Sequence, residues 1–380
     1  MTLKQVAFAL ALLCFSAGSA GAHERAIAAM GGPGRLAEPF AYTITNIGTL
    51  PGYTSSDALG IDNRGDVVGD VGGGNPFANP PSLADEAVVF GRGVLTGLGP
   101  VATGLPGPYA SYAYAINNAG NVVGTIIDLN QSSGCDESSG AEAFAGPGLG
   151  GLGGTCPHGA AYGVNARGDA VGSESSSLAP FFSDAVLFHA GRAIVLGANA
   201  AASGINDSGI AVGQSAGCYG CTSVAAIFAL HSRPTQIGTL GGPSSYGAAI
   251  NNSGVAVGAS DISKMGSYQH AFIYLRGKMF DLGVPAGFDP STTSSYAVAI
   301  NAHNEVVGSY LPSGGDQAAF VYANGAMRDL TSLIPPRSGW TLTAAAAIND
   351  RGEIVGTGSY RGQTLGFLLH PVRTAAGLSR

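Results

Sequence analysis

Charged residues are scarce in this sequence, and positive charge is the scarcer kind. The 380 residues include 17 Lys and Arg against 24 Asp and Glu, so that charged residues make up 11% of the chain and the formal net charge is −7. Binding to nucleic-acid phosphates or anionic lipids requires clustered Lys and Arg. We therefore expect no nucleic-acid partner.

Familiar catalytic and metal-binding motifs are also absent. The sequence contains no G-x-S-x-G elbow and no HExxH, and its histidines lack metal-ligand spacing. We therefore assign no catalytic residue, no metal and no cofactor. A hydrolase or lyase that uses two carboxylates stays open, because such a pair needs no motif. The loop acids considered for that role, with one nearby histidine, are Asp128, Asp136, Glu137, Glu174, Asp261, Asp289, Asp316 and His158.

Long hydrophobic runs are missing apart from one short stretch near the N-terminus. VAFALALLCF at 6–15 follows Lys4 and precedes an A-x-A site at residues 20–22. This pattern predicts a secretory signal peptide over 1–22, cleaved before His23, and a linker over 23–40. The stretch is too short to span a bilayer, and no later run reaches about 18 residues. We expect an exported protein, periplasmic or extracellular.

What the sequence does contain is a ten-residue motif repeated seven times. Its third residue is Asn or Asp, at positions 62, 117, 165, 206, 251, 301 and 349, which are 41 to 55 residues apart. A period of this length is typical of β-propeller blades. The copies are GIDNRGDVVG, AINNAGNVVG, GVNARGDAVG, GINDSGIAVG, AINNSGVAVG, AINAHNEVVG and AINDRGEIVG.

The motif predicts two short strands joined by a tight turn. Its Asn can accept a bond from the backbone N–H two residues on, and its first internal Gly reaches positive φ without steric cost. Asp62 keeps the accepting oxygen, and Asn304, which replaces that Gly, tolerates the same conformation. Calcium binding by these groups is the weaker interpretation, because each copy offers one strong oxygen ligand where calcium takes six to eight.

A second pair of strand-like segments follows each motif, for example QHAFIYLRGKMFDLGV at 269–284. Two hairpins per period make a four-stranded unit, and seven units predict an all-β, seven-bladed β-propeller over 41–373, with a tail over 374–380. The segment at 41–52 resembles the fourth-strand segment at 235–242, and the last repeat lacks a fourth strand. We therefore expect the N-terminal strand to complete the C-terminal blade and close the ring, whereas an open β-solenoid would not need such complementary ends.

The repeat resembles the HAF-repeat group of probable bacterial extracellular proteins. The resemblance covers roughly 41–373 and rests on the motif, on His270-Ala271-Phe272 and on Asp281-Leu282-Gly283. It implies export and a β-rich repeat fold. It implies no reaction, ligand or catalytic residue.

Export makes the cysteines that follow the signal peptide candidates for disulfides. Cys135 and Cys156 fall in loops that emerge on one face of the second blade, so we expect them to pair, which would contribute roughly 3 kcal/mol. Cys218 and Cys221 form one CxxC, which we interpret as a local loop staple. A redox or zinc half-site is the alternative for that pair.

Function is expected on the face opposite the motif turns, because the variable loops collect there. Tyr112, Tyr246 and Tyr296 each follow a Ser and stand five residues before a motif Asn, and Trp340 lies in a neighbouring loop. These rings could stack on sugars or on an apolar partner, although packing between blades would also explain them. The favoured function is a binding scaffold for a polysaccharide, cell-surface component or protein, and we expect a monomer. The alternative is a carbohydrate-active hydrolase or lyase.

Overall fold

The computed structural model describes residues 42–73, 84–99, 109–128, 141–145, 159–175, 183–216 and 221–372. Within these ranges the chain forms 27 strands and one short 3-10 helix, Thr331–Leu333, with no α-helix. No helix in these ranges is long and apolar enough to cross a membrane. The all-β prediction is confirmed.

The strands are numbered in chain order. They are β1 (Tyr42–Asn46), β2 (Ser55–Ile61), β3 (Val67–Gly72), β4 (Glu86–Gly91), β5 (Val94–Gly97), β6 (Tyr109–Ile116), β7 (Val122–Asp128), β8 (Ala141–Ala145), β9 (Gly159–Val164), β10 (Ala170–Ser175), β11 (Ser183–His189), β12 (Arg192–Gly197), β13 (Ala200–Ile205), β14 (Ala211–Ala216), β15 (Ser223–Phe228), β16 (Thr235–Gly238), β17 (Ser245–Ile250), β18 (Ala256–Asp261), β19 (Gln269–Leu275), β20 (Lys278–Gly283), β21 (Thr293–Ile300), β22 (Val306–Pro312), β23 (Ala318–Ala323), β24 (Ala326–Asp329), β25 (Trp340–Ile348), β26 (Ile354–Tyr360) and β27 (Gln363–Pro371).

These strands form antiparallel sheets in a propeller arrangement. Six sheets have four strands each, and β6–β8 form a sheet of three strands within the described residues. Seven four-stranded blades were predicted, and the structure shows six. We number the sheets by their first strands: sheet 1 begins with β2, sheet 2 with β6, sheet 3 with β9, sheet 4 with β13, sheet 5 with β17, sheet 6 with β21 and sheet 7 with β25.

The circle of sheets closes as the sequence predicts. Strand β1 pairs with β27, with Tyr42 opposite Pro371 and Asn46 opposite Phe367, so the N-terminal strand is the outer strand of sheet 7. The first strand of every sheet contacts the first strand of the next, and β25 contacts β2. We call these seven first strands the inner strands. The apolar core lies between neighbouring sheets and consists mostly of Ala, Val, Ile and Leu.

Each motif folds as the predicted turn. In the fifth copy Asn251 Oδ1 accepts bonds from the backbone N–H groups of Ser253 and Val255, both at 3.0 Å, and Gly254 has φ +76°. Asn304, which replaces Gly in the sixth copy, has φ +62°. The turn interpretation of the motif is therefore confirmed. We call the end of the propeller that carries these turns the motif face, and the opposite end the loop face.

Glycine is required at the last position of the motif for a steric reason that the sequence alone does not show. Every inner strand of sheets 1 to 7 contains a bulge near its middle, where one of its residues has no partner on the second strand. At this bulge the inner strand approaches the second strand closely. A Cβ on Gly258 would stand 1.9 Å from the carbonyl oxygen of Tyr246, and one on Gly356 would stand 2.0 Å from that of Ala344. No side chain fits there.

The motif asparagines also bind one another around the circle. Each side-chain amide donates from Nδ2 to the backbone carbonyl of the third motif residue in the next repeat, so one Asn closes its own turn through Oδ1 and holds the next turn through Nδ2. The first repeat breaks the pattern because Asp62 has no amide to donate. The six bonds run from Asn117 to Asn165, Asn165 to Asn206, Asn206 to Asn251, Asn251 to Asn301, Asn301 to Asn349 and Asn349 to Asp62.

Residues at the fourth motif position form a second set of hydrogen bonds between neighbouring repeats. Here the backbone N–H of one repeat donates to the side chain of the next, wherever that side chain is Asn or Asp. Copies three and six carry Ala166 and Ala302, and no such bond reaches them. The five bonds run from Asn63 to Asn118, Ala166 to Asp207, Asp207 to Asn252, Ala302 to Asp350 and Asp350 to Asn63.

A nearly buried carboxylate strengthens the motif turn in two sheets. Glu353 accepts bonds from Asn349 Nδ2, from the Arg351 guanidinium and from His370 Nδ1, at 2.6 to 3.0 Å. Burial acts to raise the pKa of Glu353, but these three partners outweigh burial and hold the pKa below its ordinary value. Asp169 in sheet 3 has the same set of partner types and a lowered pKa for the same reasons.

His270 and Asp281, two of the residues on which the resemblance to the HAF-repeat group rests, contact each other in sheet 5. His270 is 3% exposed, with Nδ1 2.9 Å from Asp281 Oδ2 and Nε2 2.9 Å from the Pro290 carbonyl oxygen. The pair ties β19 to β20 and to the loop that follows.

Replacing Asn251 by Asp tests the bonds between motif turns. The carboxylate keeps the Oδ1 bonds of the turn but loses the donor to Asn301, so we expect the free energy of unfolding to fall by about 1–3 kcal/mol. Urea denaturation measures this. Asn118→Asp is the matched control, because its Oδ1 accepts from Asn63 and the exchange keeps that acceptor; an equal loss there would refute the specific role of the amide.

Replacing Glu353 by Gln tests the buried carboxylate through pH. A pKa lowered in the folded state contributes stability above the unfolded value, about 4.3, and loses it as pH falls through the folded value. We expect the variant to be less stable by about 1–3 kcal/mol at pH 7 and the difference to shrink below about pH 4. Thermal unfolding at pH 7 and pH 3.5 measures it, and a difference that does not depend on pH would contradict this explanation.

Candidate functional site

The sequence predicts that the function lies in the longest variable loops, at 70–85, 125–141, 284–295 and 331–343. The structure describes 284–295 and 331–343 in full, and most of 70–85 and 125–141 lies outside the described residues. Outside them also lie Cys135, Cys156, Cys218, Asp136, Glu137 and His158. Of the cysteines in the predicted disulfides only Cys221 is described, so both pairings stay predictions.

The three predicted tyrosines occupy equivalent positions on inner strands. Tyr112 lies on β6 opposite Thr125, Tyr246 on β17 opposite Ala259 and Tyr296 on β21 opposite Ser309. All three side chains are partly buried. The Tyr112 hydroxyl donates to Asp85 Oδ2 at 2.9 Å, and Asp85 precedes the third strand of the neighbouring sheet. Tyr112 therefore spans the gap between sheets 1 and 2.

The Ser that precedes each of these tyrosines joins neighbouring sheets. Ser295 Oγ accepts from the backbone N–H of Ala271 in sheet 5 at 2.9 Å and donates to the Gly283 carbonyl at 2.6 Å. Ser245 makes the same two bonds to sheet 4, and Ser111 accepts from Ala87 in sheet 1. The recurring Ser-Tyr step is therefore explained in part by packing between sheets, as the alternative interpretation expected.

Trp340 is packed inside sheet 7. Its side chain is 7% exposed, stacks on Tyr360 with ring centroids 5.0 Å apart and meets Phe367 edge to face. The ring faces that a sugar would need are taken by these neighbours. Trp340 does not join the three tyrosines in an exposed aromatic surface.

A group of acids on the loop side of sheet 1 was missed by the sequence analysis. Glu86 Oε2 accepts from the Tyr53 hydroxyl at 2.9 Å, beside the bond from Tyr112 to Asp85. We call these four residues the Tyr-acid group. Burial raises the pKa of Tyr112, with the charge of Asp85 and its hydrogen bond adding to the effect, and burial with Glu86 does the same for Tyr53. Both phenols therefore stay protonated donors at neutral pH.

Two further acids stand directly opposite each other on neighbouring strands of the same sheet. Asp57 on β2 pairs in register with Asp70 on β3, so their side chains share one side of the sheet. The Thr357 hydroxyl of sheet 7 donates to Asp57 Oδ1 at 2.6 Å. One signal could have found this pair: position five before the motif Asn, which is Tyr in three copies, is Asp57 in the first.

Of the loop acids considered in the sequence analysis, the four whose side chains the structure describes are not brought together. The side chain of Asp128, at the end of β7, lies outside the described residues. Glu174, Asp261 and Asp316 belong to sheets 3, 5 and 6, and Asp289 lies between sheets 5 and 6. Burial and then Asp184 raise the pKa of Glu174, whereas bonds from Ser291 lower that of Asp289. Among the described residues no three or more His, Cys, Asp or Glu side chains gather as metal ligands would.

The strand arrangement defines a β-propeller, and comparisons with known proteins add little to that class. No family model and no curated protein matches the chain. The chain is similar to a solved prolyl endopeptidase, with a TM-score of 0.47 and 10% identity over 85% of this chain and 51% of that one. It is also similar to Trypanosoma rangeli sialidase, with a TM-score of 0.40 and 10% identity over 88% of this chain and 60% of the sialidase. The chain thus spans only about half to three fifths of these proteins, and likeness at this level carries no argument about activity.

Replacing Trp340 by Ala distinguishes a packing role from a ligand role. Because the ring lies in the core, we expect the free energy of unfolding to fall by about 3–5 kcal/mol. Phe288→Ala is the control, since Phe288 is 38% exposed and touches Tyr310 edge to face, and it should cost about 1 kcal/mol. Guanidinium denaturation measures both. A tryptophan variant as stable as the wild type would show that the ring is free to serve a ligand.

Proposed function

We propose that the protein is an exported β-propeller scaffold that binds a polysaccharide, a cell-surface component or a protein through its loop face. The Tyr-acid group carries the proposal. It places two neighbouring, partly exposed carboxylates, Asp85 and Glu86, in contact with two tyrosines, Tyr53 from the connection before β2 and Tyr112 from sheet 2. Carboxylate oxygens accept several hydrogen bonds, and tyrosine rings bury area while keeping a polar end, which suits a ligand rich in hydroxyl groups.

The difference between the two faces supports this location. On the motif face six of the seven side chains at the third motif position, and the five Asn or Asp side chains at the fourth, form bonds between repeats. On the loop face the polar groups differ from sheet to sheet. A rigid scaffold that presents variable loops is a common arrangement for binding.

Export, the family and the seventh blade belong to the same proposal. The leader at 1–22 and the resemblance to HAF-repeat proteins support export. Seven motif turns in one closed circle support the view that β6–β8 belong to a seventh blade. Mass spectrometry of the exported protein should find His23 at its N-terminus; retention of residues 1–22 would contradict the leader.

The alternative function is hydrolysis or lysis of an extracellular carbohydrate. The observation that favours it is the Asp57–Asp70 pair, because two carboxylates on one side of a sheet are the minimum equipment for cleaving a glycosidic bond. In this alternative Asp57→Asn removes turnover and leaves binding in place.

A polysaccharide and glycan screen with the purified protein tests both functions. We expect saturable binding without new reducing ends, and a loss of at least tenfold in affinity for the double variant Asp85→Asn, Glu86→Gln. Asp316→Asn is the matched control, because Asp316 is an exposed loop acid of sheet 6. Unchanged binding by the double variant would refute the Tyr-acid group as the site. Release of sugar that Asp57→Asn abolishes would establish the alternative.

A further inference from the structure

The hairpin between β18 and β19 brings oxygen-bearing side chains together on the loop side of sheet 5. Asp261 and Gln269 are paired in register at the strand ends. Beyond them the Ile262 N–H donates to the Tyr268 carbonyl at 3.2 Å, so the pairing continues by one more residue on each side. The next residues, one step nearer the turn, are Ser263 and Ser267.

Asp261 and Gln269 end the two strands, and their side chains share one side of the sheet because the two residues are paired in register. Ser263 and Ser267 lie two residues beyond Asp261 and before Gln269, in the segment that joins the strands. A bond from the Gly266 N–H to the Ser263 carbonyl, at 3.0 Å, closes the turn beyond them.

Three oxygen atoms of this set are buried without a hydrogen-bond partner. They are Ser263 Oγ, Ser267 Oγ and Gln269 Oε1. Ser263 as a whole is only 5% exposed. Buried polar atoms almost always have a hydrogen-bond partner, so three unpartnered oxygen atoms in one hairpin need an explanation.

Asp261, the fourth side chain of the set, carries a charge, and its hydrogen-bond partners are neutral. Asp261 is 2% exposed and accepts bonds from the Ser244 N–H at 3.0 Å, from the Ser244 hydroxyl, and from Gln269 Nε2 at 2.9 Å. Within the ranges that the structure describes, no Lys, Arg or His forms an ion pair with Asp261. A buried carboxylate without a counter-charge is costly, and a bound cation would remove that cost.

The chain that precedes β17 lies against these residues. A Cβ on Gly242 would stand 2.2 Å from the Asp261 Cβ and 2.5 Å from the Ser263 carbonyl oxygen, so only glycine allows this close approach. On the neighbouring sheet the Ser294 hydroxyl accepts from the Gln269 N–H at 3.2 Å. The four oxygen-bearing side chains are thus enclosed by sheet 5, its preceding loop and sheet 6.

We propose that Asp261, Ser263, Ser267 and Gln269 form a binding site for a calcium ion. All four offer oxygen, which calcium prefers, and their neutral members leave room for carbonyl groups and water to complete six to eight ligands. One carboxylate is a low ligand charge, so the affinity belongs in the range of about 10⁻⁴–10⁻³ M that is typical of extracellular modules. The site is separate from the motif asparagines, for which calcium was rejected, and does not depend on the Tyr-acid group.

Calcium titration of the purified protein by calorimetry tests the site, with Ser263→Ala, Ser267→Ala as the double variant. Because both hydroxyls lack partners, their removal should leave the calcium-free melting temperature nearly unchanged. We expect saturable binding with a dissociation constant of about 0.1–1 mM for the wild type and at least tenfold weaker binding for the variant. Asp316→Asn should bind as the wild type does.

A variant that is expected to bind calcium more tightly provides a second test of the site. Ser267→Asp adds a carboxylate to a partly buried position of the site, and it should tighten calcium binding at least tenfold because the ligand charge rises. Terbium luminescence excited through tyrosine gives an independent readout, since Tyr268 belongs to the hairpin. No saturable calcium binding by the wild type, or wild-type binding by the double alanine variant, would overturn the proposal and leave ordered water as the occupant.

Discussion

The side-chain amide of the motif asparagine is the interaction on which the rest of the fold depends. Its oxygen closes the turn of its own repeat, and its nitrogen holds the carbonyl of the next. Asp cannot do both, because its ionised carboxylate only accepts hydrogen bonds, whereas an amide presents an acceptor and a donor on two separate atoms. This double use fixes the distance between neighbouring turns. The crowded inner strands, the bulges and the closing glycines of the motif then follow from seven turns held this close.

Because the hydrogen bonds that hold neighbouring repeats together lie on the motif face, the loop face is free to differ from sheet to sheet. The Ser-Tyr steps combine the two roles in adjacent residues, because Ser295 joins two sheets and Tyr296 beside it is only partly buried. The Tyr-acid group and the Asp261 hairpin are both local departures from the repeat. Departures of this kind are where a repeat protein is expected to carry its function, since they are not needed for closure.

Turn chemistry made much of the fold predictable. Asn and Gly at fixed spacing predicted the turns, and the complementary ends of the chain predicted the pairing of β1 with β27. The site was less predictable, because it depends on contacts between repeats. Nothing local distinguishes Trp340 in a core from Trp340 on a surface, and the partners of Asp85 and Asp261 come from other strands. Four strands were expected in every sheet and were found in six sheets. The residues directly after β8, at 146–158, lie outside the described ranges.

Native-state hydrogen exchange tests the closed circle of motif turns most directly. The protected amides are those that donate to the motif Asn or Asp side chains in all seven repeats. If the circle opens only as a whole, peptides that cover the seven motifs share one protection free energy, close to that of global unfolding. If the first and seventh motifs exchange well before the middle ones, the repeats unzip from open ends, and the account of a closed propeller held by its asparagines is wrong.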